Sequence, residues 1–94
     1  MSGLNLNDFR NKIDEIDENI VKLLLERFAV VKDIAEYKKE RGLDVLQKAR
    51  EAEVLKKIAD KIESIEDNGE YKNYILDIYA GIFEASKSLQ RKIT

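Results

Sequence analysis

The chain has no cysteine, no histidine and no proline among its 94 residues. Lacking cysteine, it has no disulfide and no thiol nucleophile; lacking histidine as well, it has no zinc site of the Cys/His kind. The missing histidine also removes Ser-His triads and the usual proton shuttle near neutral pH. No Gly-rich loop of the phosphate- or dinucleotide-binding kind occurs. Neither a metal nor a cofactor is expected. Any catalysis must rely on Arg, Lys, Glu, Gln, Ser or backbone groups. No apolar run approaches the roughly 20 residues needed to span a bilayer, so no membrane partner is expected. The N-terminus has no apolar signal-peptide core, and a cytoplasmic setting is the expectation.

What is present is a mixture of 44% hydrophobic and 38% charged residues with a net charge of −2. That balance suits a soluble helical protein rather than a disordered tail. The charges of both signs are interspersed, so no basic stripe argues for nucleic acid. The length predicts one small domain over residues 1–94.

Residues 9 to 41 carry one unbroken apolar spacing. Phe9, Ile13, Ile16, Ile20, Leu23, Arg27, Val30, Ile34, Tyr37 and Arg41 are separated by alternating steps of four and three. This is the seam of a long amphipathic helix. Arg27 stands where a Leu or Ile is expected. Burying an unpaired guanidinium costs far more than burying a methyl group returns. Either this position faces water, or something anionic meets it there.

The predicted fold is all-α, with three helices. Gly42 follows the first pattern, where a left-handed glycine often ends a helix. Asp44 is expected to cap a second helix whose inner face carries Leu55, Ile58 and Ile62. The stretch 66–69 reads as a turn. The third helix carries Tyr71, Ile75, Ile78, Ile82, Leu89 and Ile93, with a polar interruption at Ser86. Gly81 inside it is expected to mark close packing against another helix. The first helix would extend roughly 50 Å, against a diameter of about 30 Å for a compact chain of this size. The economical way to cover its seam is a homodimer in which long helices of two chains pack together. A bend near Arg27 would relax that requirement.

Several polar residues fall in or beside apolar stripes. Arg27 and Lys38 are eleven residues apart, about three turns and about 16 Å, and point the same way. Arg10 lies about 42 Å from Lys38 along a straight helix and cannot share a small ligand with it. An antiparallel dimer, however, would allow Arg10 of one chain to approach Arg27 and Lys38 of the other. Gln47, Arg50 and Glu51 are neighbours at the start of the second helix. Ser86 and Gln90 lie one turn apart on the third. Together they form donors plus one carboxylate, suited to a small dicarboxylate bearing a hydroxyl. Each also has a plainer reading, since charges beside a seam snorkel to the surface. Ser or Gln on a stripe can mark the edge of a core. Arg10 and Arg50 in particular look like ordinary surface charges.

In order, four blocks resemble the all-helical chorismate mutases along nearly the whole chain. The stretch from Phe9 through Arg10, Lys12 and Ile13 to Asp17 resembles the family's opening. Leu25-Glu26-Arg27, with Lys38 eleven residues on, resembles its second block. Gln47-Lys48-Ala49-Arg50-Glu51 resembles the D-x-x-R-E opening of the second helix, and Ser86 to Gln90 the closing S-x-x-x-Q. Each block alone is weak; all four at matching separations are specific. The resemblance implies an intertwined homodimer of three-helix chains, with two active sites that rearrange chorismate to prephenate. It implies that Arg27 and the partner's Arg10 bind substrate carboxylates. Lys38 and Gln90 would donate to the ether oxygen, Lys38 also binding a carboxylate. Glu51 would accept from the ring hydroxyl, with Arg50 and Ser86 near the carboxylates. Gln47 departs from the family, where many members have Asp. It keeps hydrogen-bonding capacity but removes one negative charge, so altered affinity rather than lost activity is expected.

Two rival readings fit the same sequence. An isochorismate–pyruvate lyase shares the fold and a cationic site. The intact Arg50-Glu51 pair after Gln47 favours the mutase. A non-catalytic helical dimerisation module explains the seam, but gives no reason for Arg27, Lys38, Ser86 and Gln90 at family spacing. Chorismate mutase domains also occur fused to other enzymes, so the resemblance equally accommodates a domain of a larger protein.

Overall fold

A computed structural model describes residues 5–66 and 69–94. These form three α-helices and no strand: α1 (Leu6–Arg41), α2 (Lys48–Ile65) and α3 (Lys72–Ile93). The predicted all-helical class is thus observed. No helix among the described residues is long and apolar enough to cross a membrane. Asp67 and Asn68 of the expected turn lie outside the described residues.

The start of α1 is set by a reciprocal cap. The Asp8 amide donates to Asn5 Oδ1 at 3.1 Å, and the Asn5 amide donates to Asp8 Oδ2 at 3.0 Å. Two amides that have no partner within the helix are thereby satisfied. Its end is a Schellman turn. Gly42 adopts φ 65°, its amide donates to Lys39 O, and the Leu43 amide donates to Lys38 O at 2.9 Å. A side chain at Gly42 would strain this left-handed conformation.

The start of α2 differs from expectation. Asp44 does not cap it; Gln47 occupies the N-cap position and makes no side-chain cap bond. Instead Gln47 Nε2 donates to Asp44 O at 3.1 Å. The Schellman turn at residues 42 and 43 ends α1, and residues 44–47, with a bend at Val45, connect it to α2. Glu51 in the first turn favours the positive end of the α2 dipole.

The chain divides into two compact units, meeting between Val30 and Val31. Within the first, Phe9, Ile13, Ile16 and Ile20 are exposed over roughly half their surface. Covering the exposed halves would contribute about 1 kcal/mol per side chain.

The second unit holds all of the buried side chains among the described residues: Val31, Ala35, Ile62, Phe83, Ser86 and Gln90. Lys72 pairs with Glu63 at 3.3 Å and Lys87 with Glu51 at 3.3 Å, so α2 and α3 run antiparallel. Ile62 is buried as predicted on α2, with Leu55 and Ile58 partly so. On α3 the predicted stripe is rotated. Its buried line runs through Phe83, Ser86 and Gln90, with Tyr79 edge-on to Phe83 at 6.0 Å between centroids. Tyr71 and Ile78 are exposed instead. Gly81 lies on that exposed face with Ile78 and Tyr74, and a Cβ there would meet nothing within 4 Å. The close approach expected at Gly81 is therefore absent within one chain.

Candidate functional site

The C-terminal end of α1 carries Lys38, and α3 carries Gln90. Lys38 Nζ donates to Gln90 Oε1 at 2.9 Å and to Val45 O at 3.0 Å. Val45 is delivered to this point by the turn at Gly42. A primary ammonium has three protons, and the two acceptors leave one for another group. Gln90 is only 7% exposed. With its oxygen held by Lys38, its amide NH2 is the part left to donate. The pair is thus two adjacent donors, one charged and one neutral, already oriented by contacts within the chain.

Ser86 lies one turn before Gln90 and is 6% exposed. Its hydroxyl donates to Ile82 O at 2.8 Å, back along its own helix. Neither residue is at the edge of the core, as the plainer reading of the sequence had it. Both are among the most buried polar side chains described.

Across from α3, the first turn of α2 brings Glu51. Lys87 Nζ lies 3.3 Å from Glu51 Oε2 and 2.8 Å from Glu84 Oε1. The Glu84 hydrogen bond raises the Lys87 pKa above its ordinary value; burial opposes this, and Glu51 reinforces it. The Glu84 carboxyl is held below its usual range by the same bond. Sequence reasoning missed Lys87. The available signal was its position between Ser86 and Gln90 on the buried side of α3, but pairing it with Glu51 needed the helix register.

Arg50 points elsewhere, pairing with the exposed Glu53 on the next turn of α2. Gln47 reaches back to Asp44. Neither joins Lys38 and Gln90 within the described contacts. In the first unit Arg10 is exposed and Arg27 partly exposed. Among the described residues no group of three or more carboxylates gathers as a metal site.

The family model described as chorismate mutase type II matches residues 9–91. The chain is 35% identical over 88 residues to a chorismate mutase of Methanocaldococcus jannaschii, covering 93% of this chain and 85% of that protein. It is 34% identical over 88 residues to a bifunctional chorismate mutase/prephenate dehydratase of Aquifex aeolicus, covering 94% of this chain and 24% of that protein. A bifunctional enzyme of the same description from Buchnera aphidicola is 34% identical over 85 residues, covering 90% of this chain and 21% of that protein. The chain therefore spans most of the first relative and about a quarter or less of the two bifunctional ones. With a match over most of its length, carrying Lys38 and Gln90 within it, the chain belongs to the type II chorismate mutase family.

Proposed function

We propose that this chain is a chorismate mutase, which converts chorismate to prephenate by an intramolecular Claisen rearrangement. The observation that carries the mechanism is the Lys38–Gln90 pair, two donors held side by side. The rearrangement breaks the ether C–O bond and forms a C–C bond within one molecule. It needs no nucleophile, proton shuttle, metal or redox group. The catalyst must hold the reacting ends together and stabilise negative charge as it gathers on the ether oxygen. In this reading the remaining Lys38 proton and the Gln90 NH2 donate to that oxygen. Donors fixed beforehand need no reorganisation when the charge develops. Glu51 accepts from the ring hydroxyl, and Arg50 and Ser86 border the carboxylates.

The proposed enzyme is a homodimer, in which Arg27 and Arg10 of the partner subunit clamp the two carboxylates. Bidentate guanidinium pairing suits that role. The half-exposed seam from Phe9 to Ile20 supports a second chain, because a single chain leaves it uncovered. The exposed face of α3 bearing Tyr74, Ile78 and Gly81 is a second apolar surface available to a partner.

Gln47 is a test of affinity rather than chemistry. Gln47→Asp is expected to change KM more than kcat, because the group lies away from the breaking bond. Steady-state kinetics on chorismate check this, and a collapse of kcat would refute the placement. The function itself is tested by incubating the chain with chorismate and identifying prephenate as the product.

A further inference from the structure

Lys87 carries none of the roles assigned above, yet it is the least exposed of the ion-paired side chains described. Its side chain is 12% exposed, against 29% for Glu51 and 70% for Glu84. The ion pairs within α2 are solvated on both sides, Lys56–Asp60 for example at 79% and 61%. Such exposed pairs contribute little. The Lys87–Glu51 contact differs in being drawn in between two helices and in ending on a group of the proposed site.

We propose that Lys87 is a positioning residue that aims the Glu51 carboxylate at the ring hydroxyl of the substrate. This rests on the chorismate mutase reading and deepens it. Lys87 holds Glu51 by one oxygen, Oε2. Oε1 is then the atom left to accept a hydroxyl proton. Glu84 holds Lys87 from its other side and limits the swing of its long chain. The ammonium also has an electrostatic effect. Chorismate carries two negative charges, and Glu51 adds a third beside them. A cation 3.3 Å from Glu51 offsets that repulsion. Lys87 thus lets a carboxylate serve as hydroxyl acceptor in a site built for anions. Losing it weakens substrate binding more than bond breaking, because the hydroxyl is remote from the ether oxygen.

A merely structural strut makes a different prediction. Lys72–Glu63 links the same two helices elsewhere, and a second strut would affect stability alone. The test is a kinetic double-mutant cycle on the full chain. Lys87→Met keeps length and removes charge. It is expected to raise KM for chorismate about tenfold, the loss of one hydrogen bond to a charged group, with kcat within about threefold. Lys87→Arg should restore most of the affinity. In a Glu51→Gln background, Lys87→Met should add no more than about twofold. Should Lys87→Met prove too unstable to assay, Lys87→Gln carries the same comparison and keeps a donor. An unchanged KM in Lys87→Met or Lys87→Gln, or the same penalty with and without the Glu51 carboxylate, would overturn the proposal. Those results leave wild-type turnover intact. Failure of the wild-type chain to convert chorismate would instead overturn the functional reading, and this inference with it.

Discussion

Replacing Gln90 with alanine is expected to lower kcat on chorismate by about 10² to 10³, the usual cost of removing one donor to a developing oxyanion. KM should change much less, since the ether oxygen gains its charge only as the bond breaks. Gln90 is buried and accepts from Lys38, so the truncation also removes one acceptor from that ammonium. The Val45 carbonyl still holds Lys38 at 3.0 Å, which limits the rearrangement. A thermal melt separates lost stability from lost chemistry. Near-full kcat in a folded Gln90→Ala chain would refute the assigned role. Gln90→Glu refines the result. A carboxylate beside Lys38 prefers to stay ionised and cannot donate. Activity of that variant should therefore be low at neutral pH and rise as the pH falls.

The second large effect concerns the dimer. Arg10→Ala and Arg27→Ala should each lower kcat/KM by about tenfold to a hundredfold or more, since each removes a charge-assisted contact to a carboxylate. Mixed at equal amounts and allowed to exchange subunits, the two weakened chains should recover activity. Random exchange makes half of the dimers mixed, and each mixed dimer has one site with both arginines. About a quarter of wild-type activity should therefore return. Activity that stays at the level of the separate variants after exchange would show that Arg10 and Arg27 do not serve one shared site.

Much of this fold was legible before any coordinates. The steps of three and four in α1 and the glycine at 42 gave the long helix and its end, because periodicity and a left-handed glycine are local effects. The cap at the start of α2 was not legible. Asp44 is a good capping residue, but the turn at Gly42 and Leu43 had already set the chain direction, and the helix begins four residues later. The α3 stripe failed for a related reason. Apolar residues lie on more than one side of that helix, so periodicity alone did not say which side meets α2. The structure selects Phe83, Ser86 and Gln90 and leaves Ile78 outside.

The site divides in the same way. Lys38, Ser86, Gln90 and Glu51 were singled out as polar residues in or near apolar places and as matches to the family blocks. The direct bond from Lys38 to Gln90 required long-range packing between residues 52 apart. The pairing of Lys87 was hidden for the same reason, because its partner Glu51 lies on another helix. Arg50 was expected near the carboxylates, and in the single chain it pairs with Glu53. That exposed pair is weak enough to exchange for a substrate carboxylate without a large cost.

The most direct measurement follows chorismate in the presence of the purified chain, with a chelator added and no cofactor supplied. The account predicts loss of chorismate well above the uncatalysed rate, with one prephenate formed for each chorismate consumed. Isochorismate offered in its place should release no pyruvate at a comparable rate. Chorismate lost no faster than in buffer, or pyruvate released from isochorismate as the faster reaction, would contradict it.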